Sequence, residues 1–182
     1  MRVATRMSTE GTHHVNHAAV LADAFDRVEG VVHDTLDDIP SAALTYRPDA
    51  EANTIAWLIW HLTRVQDDHV AGVAGSEQVW TADGWNARFG LPFDDAAIGY
   101  GHSSDDVAAV ATDADLLRDY HDAVHAKTVA YVESLTQEDL DRVVDENWDP
   151  PVTLGVRLVS VVSDDLQHAG QAAYVRGLFA RI

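Results

Sequence analysis

The stretch "SDDLQHAGQ", Ser163 to Gln171, sets Asp164, Asp165 and His168 inside a segment that otherwise reads as an apolar helix. A buried charge without a partner is costly, so such groups are exposed, paired with each other, or bound to a cation. At about 100° per residue, Asp164 falls roughly 40° from His168, one turn away on the same face. Leu154, Val161, Val175 and Phe179 also fall within about 40° of His168, which puts that histidine on the expected core stripe. Asp165 lies about 60° to the other side and is the weaker ligand on geometry. A second inward polar residue is His61, which shares a face with Thr54, Trp57, Val65, Asp68 and Gly72.

A carboxylate and a histidine four residues apart can chelate one ion from a single helix. A histidine from a facing helix completes three ligands, the way bundles build metal sites. Three protein ligands with a position left open mark a catalytic ion rather than a structural one. His and carboxylate donors suit zinc, expected first, and also nickel, manganese or iron. The competing explanation is an ordinary core histidine bonded to its neighbouring aspartate.

The remaining candidates rank lower. Asp68 points the way His61 does, two turns on, and could orient a ligand or a substrate. Arg64, Arg157 and Arg176 lie near core-facing edges and could clamp a substrate carboxylate, although arginines often only cover apolar surface. His121 and His125 have the i, i+4 spacing but point about 60° and 100° away from the Leu117, Tyr120, Val124, Tyr131 stripe. They are expected on a solvated flank. His69 is about 80° off the His61 direction and reads as a helix-end or outer group. His13, His14 and His17 lie in or near a terminal tail without a rigid frame.

Four amphipathic helices must carry these residues. The first runs from His17 to Leu36. The second, capped by Asn53, runs through "TIAWLIWHLTRVQDDHVAGVAG". The third starts from a Thr112 cap with Asp115 at the capping-box position, and the fourth starts from a Thr153 cap and runs to the C-terminus. A long aromatic segment, residues 76–102, separates the second helix from the third and reads as a crossover or lid, with a brief helix starting at Ser103 or Ser104. "TQEDLDRVV" reads as one short helical turn, and no strand is evident. The expectation is one all-α domain over residues 1–182, a four-helix bundle with a long crossover loop between its second and third helices, with residues 1–15 as a flexible tail.

Composition narrows the chemistry. The chain has no cysteine, so disulfides, thiolate zinc sites and an internal thiol nucleophile are excluded. Its net charge is −18, and its eleven arginines and single lysine are scattered, which argues against nucleic-acid partners. No segment approaches a membrane span and the N-terminus lacks a signal-peptide core, so a cytoplasmic protein without membrane partners is expected.

"NTIAWLIWHLTRVQDDH" and "SDDLQHAGQAAYVRGL" resemble the DinB-like superfamily of metal-binding four-helix bundles, and within it the actinobacterial branch related to mycothiol-dependent maleylpyruvate isomerase. The similarity runs from about Ala22 to Phe179. Its specific parts are the W-H-L pattern on the second helix and the H-x-G-Q pattern on the last. The resemblance implies that His61, Asp164 and His168 are the metal ligands, choosing Asp164 over Asp165. It leaves Asp68, Arg64, Gln171 and Asp165 as outer-layer or substrate residues.

By the same resemblance the activity is S-transfer or isomerisation with a low-molecular-weight thiol such as mycothiol and a small electrophile. A coordinated thiol is deprotonated, which supplies the nucleophile that the missing cysteines cannot. The isomerase carries a further C-terminal domain contributing to its active site, so maleylpyruvate itself is not the expected substrate. A metal-dependent hydrolase and a non-catalytic, stress-associated metal-binding bundle are the rival readings. A homodimer is left open.

Overall fold

The computed structural model describes residues 16–182; the expected tail, residues 1–15 with His13 and His14, lies outside them. Helix α1, His17–Leu36, starts where the Asn16 side chain accepts from Ala19 N–H, and it buries Leu21, Phe25, Val28, Val32 and Leu36 along one face. A short α2, Ser41–Leu44, follows. Helix α3, Ile55–Ala74, is capped by Thr54 rather than the expected Asn53, because the Thr54 hydroxyl is the one that reaches Trp57 N–H. It ends at Gly75 in the left-handed conformation. Helices α4, Val79–Ala82, α5, Trp85–Phe89, and α6, Ser104–Ala109, occupy the crossover. Ser103 caps α6 with a full capping box.

Helix α7, Ala114–Ser134, is capped by Asp113, which takes the place expected for Thr112 by accepting from Leu116 N–H. The expected turn after it is a 3-10 turn at Asp139–Asp141. Contrary to the expectation of no strand, β1, Val143–Asp145, then pairs antiparallel with β2, Val152–Thr153. The "DENWDPP" breaker forms the bend between them, so a strand too short to show periodicity went unseen. Thr153 caps α8, Leu154–Phe179, as expected.

The four long helices form a ring in which α1 packs on α7 and α8, and α3 packs on the same two. Contacts give their directions. His17 reaches the Leu135 carbonyl and Arg118 the Leu36 carbonyl, so α1 and α7 are antiparallel. Arg157 meets His69 while His168 meets His61, so α3 and α8 are antiparallel too. Arg64 meets Tyr120 and Tyr131 meets Val73, so α3 and α7 run parallel. A parallel pair needs a return along the bundle, and residues 75–113 supply it. The all-α bundle with a long crossover is the fold. Among the described residues no helix is long and apolar enough to cross a membrane.

Two expectations about helix faces are corrected. The buried stripe of α8 is Leu154, Leu158, Val161, Asp165, Ala169, Ala172 and Val175, so the core line passes through Asp165 and not through His168. In a ring each helix touches two neighbours, and the centre of its buried arc points at the bundle axis between them. His168 and Asp164 sit at the edge of that arc, on the α3 side. For the same reason His121 and His125 are buried rather than on a solvated flank, because α7 must cover α1 as well as α3.

Candidate metal centre

His61, Asp164 and His168 converge at the α3·α8 seam, each offering a ligand atom within 4.8 Å of the others. The two imidazoles stand 4.8 Å apart between centroids, at 71° to each other. The nearest approach of His168 to Asp164, Nε2 to Oδ1, is 3.7 Å, too long for a hydrogen bond. A simple aspartate–histidine pairing is therefore not made. Asp164 Oδ2 is buried with no hydrogen-bond partner, so this carboxylate, whose Oδ1 is the oxygen nearest His168, is left unsatisfied without a cation.

Both histidines are held in the same tautomer. His61 Nδ1 donates to the Ile98 carbonyl at 2.5 Å, and a carbonyl can only accept. His168 Nδ1 donates to Gln171 Oε1 at 2.9 Å. In each ring Nε2 is left as the free lone pair, the orientation that partners beyond the ligand shell impose on metal-binding histidines. Burial pulls the His61 pKa below its ordinary value, against the Ile98 bond that raises it, so the ring is neutral and able to ligate. Trp57 stacks on His61 at 4.6 Å and 14°, fixing the ring plane. The donor set fits a divalent cation with two nitrogen ligands and one carboxylate.

A cleft of about 340 Å³ opens onto these ligands, lined also by Val65, His69, Ile98, Tyr100, Ser160 and Val161. Space for a small molecule therefore exists beside the three ligand atoms.

Residues 24–172 match the sequence profile of the DinB superfamily. The chain belongs to the DinB superfamily. A crystal structure of a conserved protein from Enterococcus faecalis is similar, with 31% identity, a TM-score of 0.83, and coverage of 89% of this chain and 96% of that one. No curated protein matches the sequence.

In this DinB chain the crossover loop completes the centre, and sequence reasoning missed the residues that do so. Ile98 supplies the acceptor for His61. Gly99 follows with φ +95, and a Cβ there would lie 2.7 Å from His61 Nδ1, 3.1 Å from Trp57 and 3.2 Å from Trp60. Only glycine lets the backbone pass this close in that conformation. His102 closes the turn, accepting from Trp57 Nε1 at 3.2 Å and stacking on Trp60. The "IGYGH" run, two glycines around an aromatic residue, was the available signal for a close backbone approach.

Arg64 and Asp68 are placed outside the centre. Arg64 is fully buried, and its guanidinium donates to the Ala97 and Asp95 carbonyls, Gln78 Oε1 and the Tyr120 hydroxyl. It staples the crossover loop instead of clamping a substrate. Asp67 beside it, at 3.6 Å, accepts Val79 N–H, Trp80 N–H and the Tyr120 hydroxyl. Asp68 accepts from Gln78 and lines a neighbouring cleft of about 600 Å³ with His69, Arg142, Asp145 and Arg157. That cleft and the one over the ligands share His69 as a wall.

Arg176 is spent on the Asp34 and Asp37 carbonyls at the end of α1. Asp165 is fully buried, and neither of its oxygens has a hydrogen-bond partner. Burial, with the Asp164 charge adding to it, holds its carboxyl well above the ordinary carboxylate range. It is a neutral core group, absent from the ligand triplet. Gln171 is the one outer-layer candidate that touches a ligand.

Proposed function

We propose that this protein is a divalent-metal-dependent S-transferase or isomerase that uses a low-molecular-weight thiol, of the mycothiol type, on a small electrophile. One observation carries the reading: three ligands from two helices, with both histidines locked in the same metal-ready tautomer, face an open cleft instead of a closed core. His61, Asp164 and His168 would hold the ion, which the donor set suits as zinc, with nickel as an alternative. Bound there, the ion supplies a Lewis acid that lowers the pKa of a thiol or water.

The chain's own residues set the conditions. Ile98 and Gln171 take up both Nδ1–H groups, which leaves the Nε2 lone pair of each neutral ring for the ion. Gly99 lets the loop backbone close over His61, and Val65 and Val161 give the cleft an apolar floor. The chain has no cysteine, so the thiol arrives as a co-substrate. The neighbouring cleft, with Arg142 and Arg157 in its wall, suits the polar part of such a thiol or an acidic electrophile. A cytoplasmic location, where small thiols stay reduced, belongs to the same proposal.

The test is turnover of a model electrophile by zinc-loaded protein with and without mycothiol. Thiol-dependent turnover, lost in His168→Ala, is expected. Thiol-independent hydrolysis by the same protein would replace this reading with that of a metal-dependent hydrolase. Retained metal with no turnover under either condition would leave a non-catalytic metal-binding bundle.

A further inference from the structure

We infer that the α1·α7 seam, on the side of the bundle opposite the His61 centre, carries a second divalent-cation site built around Glu29. On α1, Asp26, Glu29 and His33 are spaced three and four apart and so share a face. On α7, Asp122 and His125 are three apart and face them, because the two helices run antiparallel. Two ligand triplets result: Asp26, Glu29 and His125, and Glu29, His33 and Asp122. Within each, one donor atom per residue lies within 4.8 Å of the others. Glu29 belongs to both.

The contacts are specific. His125 Nε2 lies 3.1 Å from Asp26 Oδ1 and 3.5 Å from Glu29 Oε2, and His33 Nε2 lies 2.6 Å from Asp122 Oδ1. Glu29 is thus brought close to a second carboxylate on each side, in a chain whose net charge is already −18. Such crowding of like charges is unfavourable unless positive charge sits between them.

A second observation points to a ligand. His121, one turn from His125, is fully buried with both ring nitrogens unpartnered, and its ring lies 6.2 Å from that of His125 at 15°. His125 is itself 8% exposed, and its Nδ1 is also unpartnered. Buried imidazole nitrogens without partners are rare, and those of His121 stand beside His125 and His33, the two imidazoles of the cluster. The donor set of three carboxylates and two imidazoles, with one carboxylate common to two triplets, resembles the carboxylate-rich sites that bundles offer to iron or manganese. It is harder than the set at the α3·α8 seam, and Mn²⁺ is the appropriate probe.

The experiment uses the untagged full chain with the first site removed by His61→Ala and His168→Ala, titrated with Mn²⁺ and followed by electron paramagnetic resonance. Binding of at least one Mn²⁺ is expected, weakened at least tenfold by adding Glu29→Gln, with helicity unchanged. Absence of Mn²⁺ binding in the double variant would overturn the proposal. So would binding that Glu29→Gln leaves unaltered, since the ion would then sit elsewhere. Should the double variant fail to fold, paramagnetic broadening in the wild-type chain decides: signals of α1 and α7 around Glu29 broaden if the site exists and stay sharp if it does not.

Discussion

The two seams that gather histidine and carboxylate differ in how they hold them. At α3·α8, each histidine has its Nδ1 committed to an acceptor, one ring is stacked on Trp57, and a loop closes over the top. At α1·α7 the carboxylates outnumber the imidazoles, and the side chains of Asp26, His33 and Asp122 are 59%, 41% and 43% exposed among the described residues. The first seam is preorganised for one ion beside a cleft. The second is a more exposed, carboxylate-rich groove in which His125 Nδ1 has no acceptor to fix its ring. Geometry fixed in advance suits a reacting centre, whereas a solvent-exposed carboxylate set suits binding alone.

The largest effect that would sharpen this contrast comes from the loop staple. Arg64→Leu leaves Asp67 buried without its cation and should cost about 3–5 kcal/mol of stability, read by urea denaturation. Zinc binding at α3·α8 should weaken with it, while Mn²⁺ binding at α1·α7 persists in whatever fraction remains folded. Next, Gly99→Ala should lower zinc affinity by about 100-fold, because the added Cβ collides with His61 and the φ of +95 is strained. A chelator competition assay would detect this, and an unchanged affinity would mean that the loop does not position His61.

Asp165→Leu should raise stability by about 1–3 kcal/mol in thermal or chemical unfolding, since it removes a buried polar group that nothing satisfies. A loss of stability there would reveal a partner for the carboxyl.

Gln171→Leu should reduce zinc affinity by roughly tenfold by freeing the His168 ring, with no effect at the other seam. The smallest effect is a pH dependence at α1·α7. Burial, reinforced by His125 and His33, pushes the His121 pKa down to about 3. The unfolded chain therefore takes up a proton near pH 6.5 that the folded chain refuses. Stability contributed by the neutral ring is complete above that pH and is lost as pH falls from 6.5 toward 3. Between pH 6.5 and 5.5, measured with EDTA present, the loss should be about 1 kcal/mol, and His121→Phe should remove it.

Much of the fold was legible because its signals are local. His17 to Leu36 reads as a helix from apolar spacing alone, and Thr153 announces α8 through its own side chain. The convergence of His61, Asp164 and His168 was legible from inward polar residues at i, i+4 spacing, with the family resemblance choosing Asp164 over Asp165. What stayed hidden depends on neighbours. A helical wheel locates a stripe but not its centre, so Asp165 was read as peripheral when the ring of helices points it at the bundle axis. His121 and His125 were misread for the same reason. The roles of Ile98 and Gly99 are set by where a 39-residue crossover returns, as residues 75–113 do, and periodicity carries no information on that.

The central claim is that His61, Asp164 and His168 share one cation. The most direct measurement is chelator-competed zinc stoichiometry of untagged protein and of His61→Ala, Asp164→Ala and His168→Ala. Each single variant should lose the same tight-binding equivalent, and combining two should remove no more than one does. Full retention of that equivalent in any one of the three would contradict a shared ion.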